Sequence, residues 1–357
     1  MPNWPDWVDG RCRAVEAAGQ WRRIRDVDEG LISFASNDYL GLSTHPAVVG
    51  AAHDALDRWG AGAGAARLVA GSRPVHSELE AALAGWKGEP AALLFPTGYT
   101  ANLGVLATFA TAGVRVLSDE RNHASIVDGC RLARGEVCVY RHVDVDHVED
   151  LLRSSPGPAI VVTDTVFSMD GDVAPVDALA QLCAAAGALL VLDEAHAVLG
   201  PEPHLAGVDH LRVGTLSKYL GAMGGFVAGP QRFVDLLVNR ARPFIFTTAS
   251  SPADAAAGHA ALAVLRSDDG AALVDRLRAN VDLVIPGHPS PILPVVIGDE
   301  ETAVAASAAL AGRGLLVPAI RPPTVVAGTS RLRISLSAAH SSDQIHRLLD
   351  GLKASAR

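Results

Sequence analysis

An α/β fold, a mostly parallel sheet covered by helices, is the class this sequence predicts, and three observations predict it. Short, wholly apolar runs recur along the chain, each followed by Gly, Asp or Ser. Helical patterns fall between them, and polar residues able to do chemistry stand just after them. Runs that are apolar on both faces read as strands buried on both sides. Their alternation with helices argues for a parallel sheet. Such sheets bind ligands beyond the carboxyl ends of their strands, so the polar residues could share one crevice.

The runs lie at 91–95, 114–117, 159–162, 188–192 and 224–228. Residues 176–183 place apolar side chains at i, i+3 and i+6, and Gly187 supplies a helix stop. Asp144 or Asp146 is suited to cap a helix beginning near Val148. From about residue 250 the character changes to a long Ala-rich helical stretch, Pro-rich turns, short strands and a terminal amphipathic helix. The expected organisation is an N-terminal segment (1–45) packing with a small domain, a large ligand-binding domain (46–245), and a smaller α+β C-terminal domain (246–357).

A chain of 357 residues can bury a substantial core and divide in two. With 49% hydrophobic and 19% charged residues it is not a disordered chain. A formal net charge of -9 discourages nonspecific nucleic-acid binding, and the one short basic cluster is Arg22-Arg23-Ile24-Arg25. Four cysteines without a C-x-x-C pair suit reduced thiols in a cytosolic protein. The N-terminus shows no charged region followed by an apolar one, and no apolar stretch reaches membrane-spanning length, so the expected compartment is the cytoplasm.

Only three lysines occur, and Lys218 ends Gly214-Thr215-Leu216-Ser217-Lys218. Lys87 and Lys353 read as surface residues, which is also the ordinary fate of a lysine such as Lys218. Upstream, an apolar run delivers Asp193-Glu194-Ala195-His196. A lysine for a Schiff base and an acid for a pyridinium nitrogen are what pyridoxal phosphate chemistry most needs. A carboxylate such as Asp193 at an apolar strand end needs a positive partner, either that ring nitrogen or an arginine. His196 could reach a cofactor ring oxygen and His123 could stack on the ring; either could equally be structural. Thr97-Gly98-Tyr99-Thr100 opens a helical pattern after a strand. It reads as an anion anchor or as an ordinary strand-to-helix turn. Thr215 and Ser217 could add hydroxyls, Ser168 another, and Thr324 and Arg333 lie in the C-terminal part. Arginine suits a bidentate grip on a carboxylate. No G-x-x-x-x-G-K-[ST] is present, which excludes a nucleotide P-loop and with it a helicase reading of Asp193-Glu194-Ala195-His196. The ligand-type residues between His142 and His147 are a weak metal competitor, and no metal is expected.

Taken in order, Ser36-Asn37-Asp38-Tyr39-Leu40-Gly41, Thr97-Gly98-Tyr99-Thr100-Ala101-Asn102, His123-Ala124-Ser125, Phe167-Ser168-Met169-Asp170-Gly171, Asp193-Glu194-Ala195-His196 and Thr215-Leu216-Ser217-Lys218 resemble the α-oxoamine synthases. These are pyridoxal phosphate-dependent acyltransferases of fold type I, and the resemblance runs from about Phe34 to the C-terminus. It implies a seven-stranded-type sheet and a Claisen-type condensation. It also implies that Lys218 carries the cofactor and moves the amino acid's α-proton. Asp193 would pair with the pyridinium nitrogen, His196 with the phenolic oxygen, and His123 would stack on the ring. Gly98, Tyr99, Ser168 and Thr215 would seat the cofactor, and Arg333 would take the amino-acid carboxylate. Thr324 and Arg22 would line the acyl path. The family is usually a homodimer, with Thr247 or Thr248 near the partner's phosphate.

Residues 320–333 most resemble the member that condenses L-alanine with a pimeloyl thioester, the donor being pimeloyl-CoA or pimeloyl-acyl-carrier protein. The net charge does not favour an acidic carrier, although one local basic patch would suffice. The chain departs from the family at Ala65-Ala66, where a serine is common, in the segment after His196 (Ala197-Val198-Leu199-Gly200-Pro201-Glu202-Pro203), where glycines are common, and at Asp164, where a glutamate is frequent. These bear on acyl fit and loop mobility. Competing readings are another α-oxoamine synthase such as glycine C-acetyltransferase, an aminotransferase of the same fold, and a noncatalytic binding protein.

Overall fold

A computed structural model describes residues 3–22, 24, 26, 27 and 30–355. Arg23 and Arg25 of the basic cluster lie outside the described residues.

Seven strands form the central sheet: β1 (Ala91–Phe95), β2 (Arg115–Asp119), β3 (Glu136–Tyr140), β4 (Ala159–Asp164), β5 (Leu189–Asp193), β6 (His210–Thr215) and β7 (Gly225–Gly229). Their order is β1-β7-β6-β5-β4-β2-β3. β7 runs antiparallel to both neighbours and the other pairs are parallel. Alternation explains the apolar runs. Ile160 and Val162 point into one core with Val105, Leu106, Val191 and Leu211, whereas Val161 points into the other with Leu179, Leu190 and Leu192. Each such side chain contributes roughly 1.5–3 kcal/mol by leaving water.

Five strands fall on the predicted runs, shifted by a residue or two, and two were not predicted. β3 is an edge strand whose Val137 and Val139 stay exposed, so its sequence alternates weakly. β6 carries Arg212, which interrupts an apolar run that is nonetheless buried from Leu211 onward. The helix Val176–Ala186 ends at Gly187 (φ 64°), as its sequence predicts, and Asp144 caps the helix Val145–Ser154 by accepting from His147 N.

The chain divides into two compact units. The larger holds 36–292 and 336–341, and the smaller holds 1–35, 293–335 and 342–357. This division differs from the expected boundaries at 45 and 246. The Ala-rich helix Pro252–Leu265 packs on the helices Pro46–Trp59 and Pro74–Lys87 of the larger unit. Its small residues permit that: a Cβ at Gly258 would meet Leu79 Cδ2 of the second of these helices at 3.3 Å. The smaller unit contains a three-stranded sheet of Ala319–Ile320, Ser330–Ser335 and Ile292–Gly298. The strand Ile32–Ser33 pairs in parallel with Leu315–Leu316. Among the described residues, no helix is long and apolar enough to cross a membrane.

Candidate active site

The carboxyl ends of β4, β5 and β6 and the segments after β1, β2, β5 and β6 open into a cavity of about 180 Å³. Of the residues expected to hold the cofactor, Gly98, Tyr99, His123, Asp193, His196, Thr215 and Lys218 all line it. Ser168 lies in the turn after β4 and is not among the lining residues.

Asp193 ends β5 and is buried. Its Oδ2 accepts from Asn102 Nδ2 at 2.7 Å and its Oδ1 from Ala195 N at 2.9 Å. Among the described residues no arginine bonds it, so its burial calls for a positive partner from elsewhere. His196 Nδ1 lies 2.6 Å from Tyr39 Oη, and Tyr39 also donates to Asn37 Oδ1 at 3.1 Å.

Lys218 stands in a tight turn after β6. Gly221 N bonds Lys218 O, and Leu216 N bonds Gly224 O. Gly221 has φ 61°, and a Cβ there would fall 2.2 Å from Ser43 N, so the turn needs glycine at that point. Thr215 Oγ1 donates to Gly224 O at 2.9 Å and accepts from Ser217 N at 3.1 Å. Its single proton therefore faces inward, and Ser217 Oγ, 2.7 Å away, presents the outer hydroxyl.

Opposite them begins the helix Gly98–Phe109. Thr97 and Thr100 cap it reciprocally. The first N–H groups of a helix lack internal acceptors and suit an anion. Gly225 lets β7 pass beneath, since a Cβ there would lie 2.4 Å from Gly98 N. Tyr99 bonds Asp128 through its hydroxyl and meets His123 edge-on, with ring centroids 6.4 Å apart.

His123 caps the helix Ala124–Leu132. Burial pushes its pKa down and Lys218 adds to this, against the pull of Asp193. Its backbone N–H donates to Asp164 Oδ2 at 2.7 Å. Asp164 sits beside Asp193 in register across β4 and β5. Burial and the Asp193 carboxylate hold Asp164 well above the ordinary carboxylate range.

These parts fit pyridoxal 5′-phosphate. A buried acid, a lysine in a glycine-closed turn and an anion-ready helix start bound one small cavity.

Arg22, Thr324 and Arg333 belong to the smaller unit. Arg22 Nη2 donates to Thr324 Oγ1 at 3.3 Å, so these two expected substrate residues meet. Arg333 is buried and donates to Ser335 Oγ at 2.7 Å. Thr247 is half-buried and Thr248 exposed.

The chain is 47% identical to the 8-amino-7-oxononanoate synthase of Anaeromyxobacter dehalogenans, over 98% of this chain and 95% of that one. The chain belongs to the 8-amino-7-oxononanoate synthase family. The synthase of Burkholderia thailandensis is 46% identical over 94% of both chains. The family model for aminotransferase class I and II matches residues 29–352. Among solved structures, the serine palmitoyltransferase of S. paucimobilis with a bound PLP–myriocin aldimine superposes with a TM-score of 0.90 at 30% identity. That match covers 99% of this chain and 97% of that one. The fold is accordingly that of the pyridoxal phosphate enzymes of fold type I, and pyridoxal phosphate is the cofactor of the family.

Around these residues the structure adds groups to which the sequence assigned no role. Asn102 and Tyr39 touch Asp193 and His196 from 91 and 157 residues away in the chain. Both lie in segments that resemble the family, and that was the one available signal. Lys87, expected at the surface, is buried. Its Nζ lies 2.7 Å from Glu194 Oε2 and 3.9 Å from the centre of the Trp86 ring. Arg212 holds the other Glu194 oxygen at 2.7 Å and reaches Glu202 at 2.6 Å. Glu202 belongs to the segment where this chain departs from the family's glycines. A buried carboxylate next to the cofactor acid explains why a lysine is interior here. Lys353 is exposed and lies 3.6 Å from Asp350.

Proposed function

We propose that the chain condenses L-alanine with a pimeloyl thioester, releasing CO₂ and the free thiol carrier and giving 8-amino-7-oxononanoate, the biotin-pathway reaction for which its relatives are named. The convergence of Lys218, Asp193, His196 and His123 on one cavity carries this reading. It is supported by near-full-length likeness to synthases of that name.

Pyridoxal phosphate, when bound, supplies a conjugated cationic ring that takes up the electron pair left when an amino acid loses its α-proton. The chain's residues supply the rest. Asp193, fixed by Asn102 and Ala195 N, pairs with the ring nitrogen and keeps it protonated. His196, backed by Tyr39, bonds the phenolic oxygen, and His123 packs on the ring face. Gly98, Tyr99 and Ser217 hold the phosphate, with Thr215 orienting Ser217 and Ser168 closing from the turn after β4. Lys218 Nζ takes the α-proton of alanine and serves as the base that returns one. Arg333 grips the alanine carboxylate, and Arg22 with Thr324 guides the acyl chain. The assembly proposed is a homodimer working in the cytoplasm.

Purified, cofactor-loaded protein with L-alanine and pimeloyl-CoA should release free thiol and the amino ketone together, read by thiol assay and mass spectrometry. Lys218→Ala should abolish both. Turnover of glycine or serine with another acyl-CoA, and none with this pair, would move the chain to another α-oxoamine synthase. Amine-form cofactor made without CO₂ release would indicate an aminotransferase.

A further inference from the structure

A directed hydrogen-bond chain runs behind the cavity from Asp193 to His123. Asn102 Nδ2 donates one proton to Asp193 Oδ2 at 2.7 Å and the other to Ser125 Oγ at 2.9 Å. The amide cannot be turned over, because its oxygen would then face the carboxylate. Ser125 Oγ, having accepted from Asn102, stands 2.7 Å from His123 Nδ1. Ser125 N also donates to that same nitrogen, at 3.2 Å. A ring nitrogen that accepts a backbone N–H carries no proton, so the Ser125 hydroxyl must donate to it as well. Asn102 and Ser125 are each about 1% exposed, so water does not compete. Asn102 Oδ1 is buried and has no partner among the described residues. An orphaned buried acceptor is unfavourable, and it is tolerated here because the same amide must spend both protons on Ser125 and Asp193.

We propose that Asn102 and Ser125 are positioning residues that lock His123 as its Nε2–H tautomer, and that one amide sets both the cofactor's acid and the histidine facing it. The inference rests on the function proposed above. Nδ1 is filled from behind, while Nε2 has no partner among the described residues. The locked ring therefore offers a bound molecule a donor at Nε2. The other tautomer would offer only a lone pair there and repel a carboxylate or thioester oxygen. Burial and Lys218 lower the histidine's pKa and so favour the neutral ring, in which tautomer choice matters; Asp193 opposes them.

The test is nitrogen NMR on full-length protein labelled with ¹⁵N-histidine, first freed of cofactor and then loaded with pyridoxal phosphate. His123→Gln identifies the resonance. In both forms Nδ1 should resonate as unprotonated and Nε2 as protonated. Ser125→Ala keeps only the longer bond from the backbone N–H of residue 125 to Nδ1, so the two signals should move part of the way toward each other and kcat should fall about tenfold, the effect of one lost hydrogen bond. Cofactor affinity should stay within about twofold of wild type, since Asn102 still holds Asp193. Ser125→Thr, which keeps the hydroxyl, should restore the single tautomer and most of kcat. A protonated Nδ1 in the wild type overturns the proposal. So does a Ser125→Ala protein whose signals and kcat are unchanged. Failure of the wild type to take up pyridoxal phosphate would sink the functional reading alone, because the tautomer is also read on the cofactor-free chain.

Discussion

Replacing Lys87 by methionine should destabilise the chain by about 3 kcal/mol. The ion pair it breaks is interior: Nζ and Glu194 Oε2 are 2.7 Å apart, and the two side chains are 6% and 2% exposed. At that separation the gross attraction is about 6 kcal/mol for an effective dielectric near 20, and desolvation of both ions offsets much of it. Removing one partner of a buried pair costs about 3–5 kcal/mol because the other stays charged and buried. Arg212, 2.7 Å from the other Glu194 oxygen, remains as a partner and keeps the loss at the lower end. Loss of the cation over Trp86 contributes about 1 kcal/mol of the total, while methionine preserves the apolar stem. Burial pushes Glu194 up, and the Lys87 and Arg212 charges overcome this and hold it below the ordinary carboxylate range. A depressed carboxyl contributes stability above its unfolded pKa and loses it as pH falls through the folded value. Without Lys87 that folded value rises, so acid unfolding should begin at higher pH. Urea titrations followed by circular dichroism, near neutral pH and near pH 5, measure both effects. A loss below 1 kcal/mol together with an unmoved acid midpoint would refute the reasoning.

Four further outcomes are expected. Val143 is the non-glycine residue with positive φ among those described (51°), and its N–H donates to Asp119 Oδ2 at 2.9 Å. Val143→Asn should stabilise by about 1 kcal/mol, because asparagine tolerates the left-handed region and a β-branched residue does not; a lowered urea midpoint would contradict this. His142 is held between Asp119 (2.9 Å) and Asp172 (2.6 Å). Burial opposes its charge, but those bonds and charges push it up to about 9. A raised histidine is fully stabilising below about 6.5 and loses its contribution as pH rises through the folded value. Wild-type unfolding free energy should therefore fall between about pH 7 and about pH 10, and His142→Gln should lack that fall. Asp164→Asn should keep the carbonyl that accepts from His123 N and change the urea midpoint little, since burial and the Asp193 carboxylate already push the native group toward its neutral form. Asp193→Asn should weaken pyridoxal phosphate binding at least tenfold by equilibrium dialysis; unchanged binding would remove Asp193 from the site.

Much of this was legible in the sequence because burial on both faces leaves a one-dimensional trace. The runs at 91–95, 159–162 and 188–192 could hardly be anything but interior strands, and each delivers its polar residue to the cavity. The trace fails where a strand is half solvated, as at Val137 and Val139, or where its polar residue is paired inside, as at Arg212. Lys87 fails for the same reason: its partner is 107 positions along the chain, and only folding shows that Glu194 is there. The helices after residue 250 look like the start of a new domain by composition. They pack with the larger unit because alanine and glycine faces fit closely against leucines already in place. Residues that touch cofactor carry motifs of their own. Those that act through another side chain, such as Asn102 and Ser125, gain meaning only from distances.

The burial of Lys87 also shapes how the chain meets amine-directed chemistry. One side-chain amine is locked inside, one stands in the cavity, and Lys353 alone lies open on the terminal helix. Bulky acylating reagents and lysine-specific crosslinkers should find that single side-chain site on the folded protein. A small hydride donor that fixes an aldehyde onto an amine should mark Lys218 against almost no background. Coupling to a solid support through lysine should present every molecule by the same end.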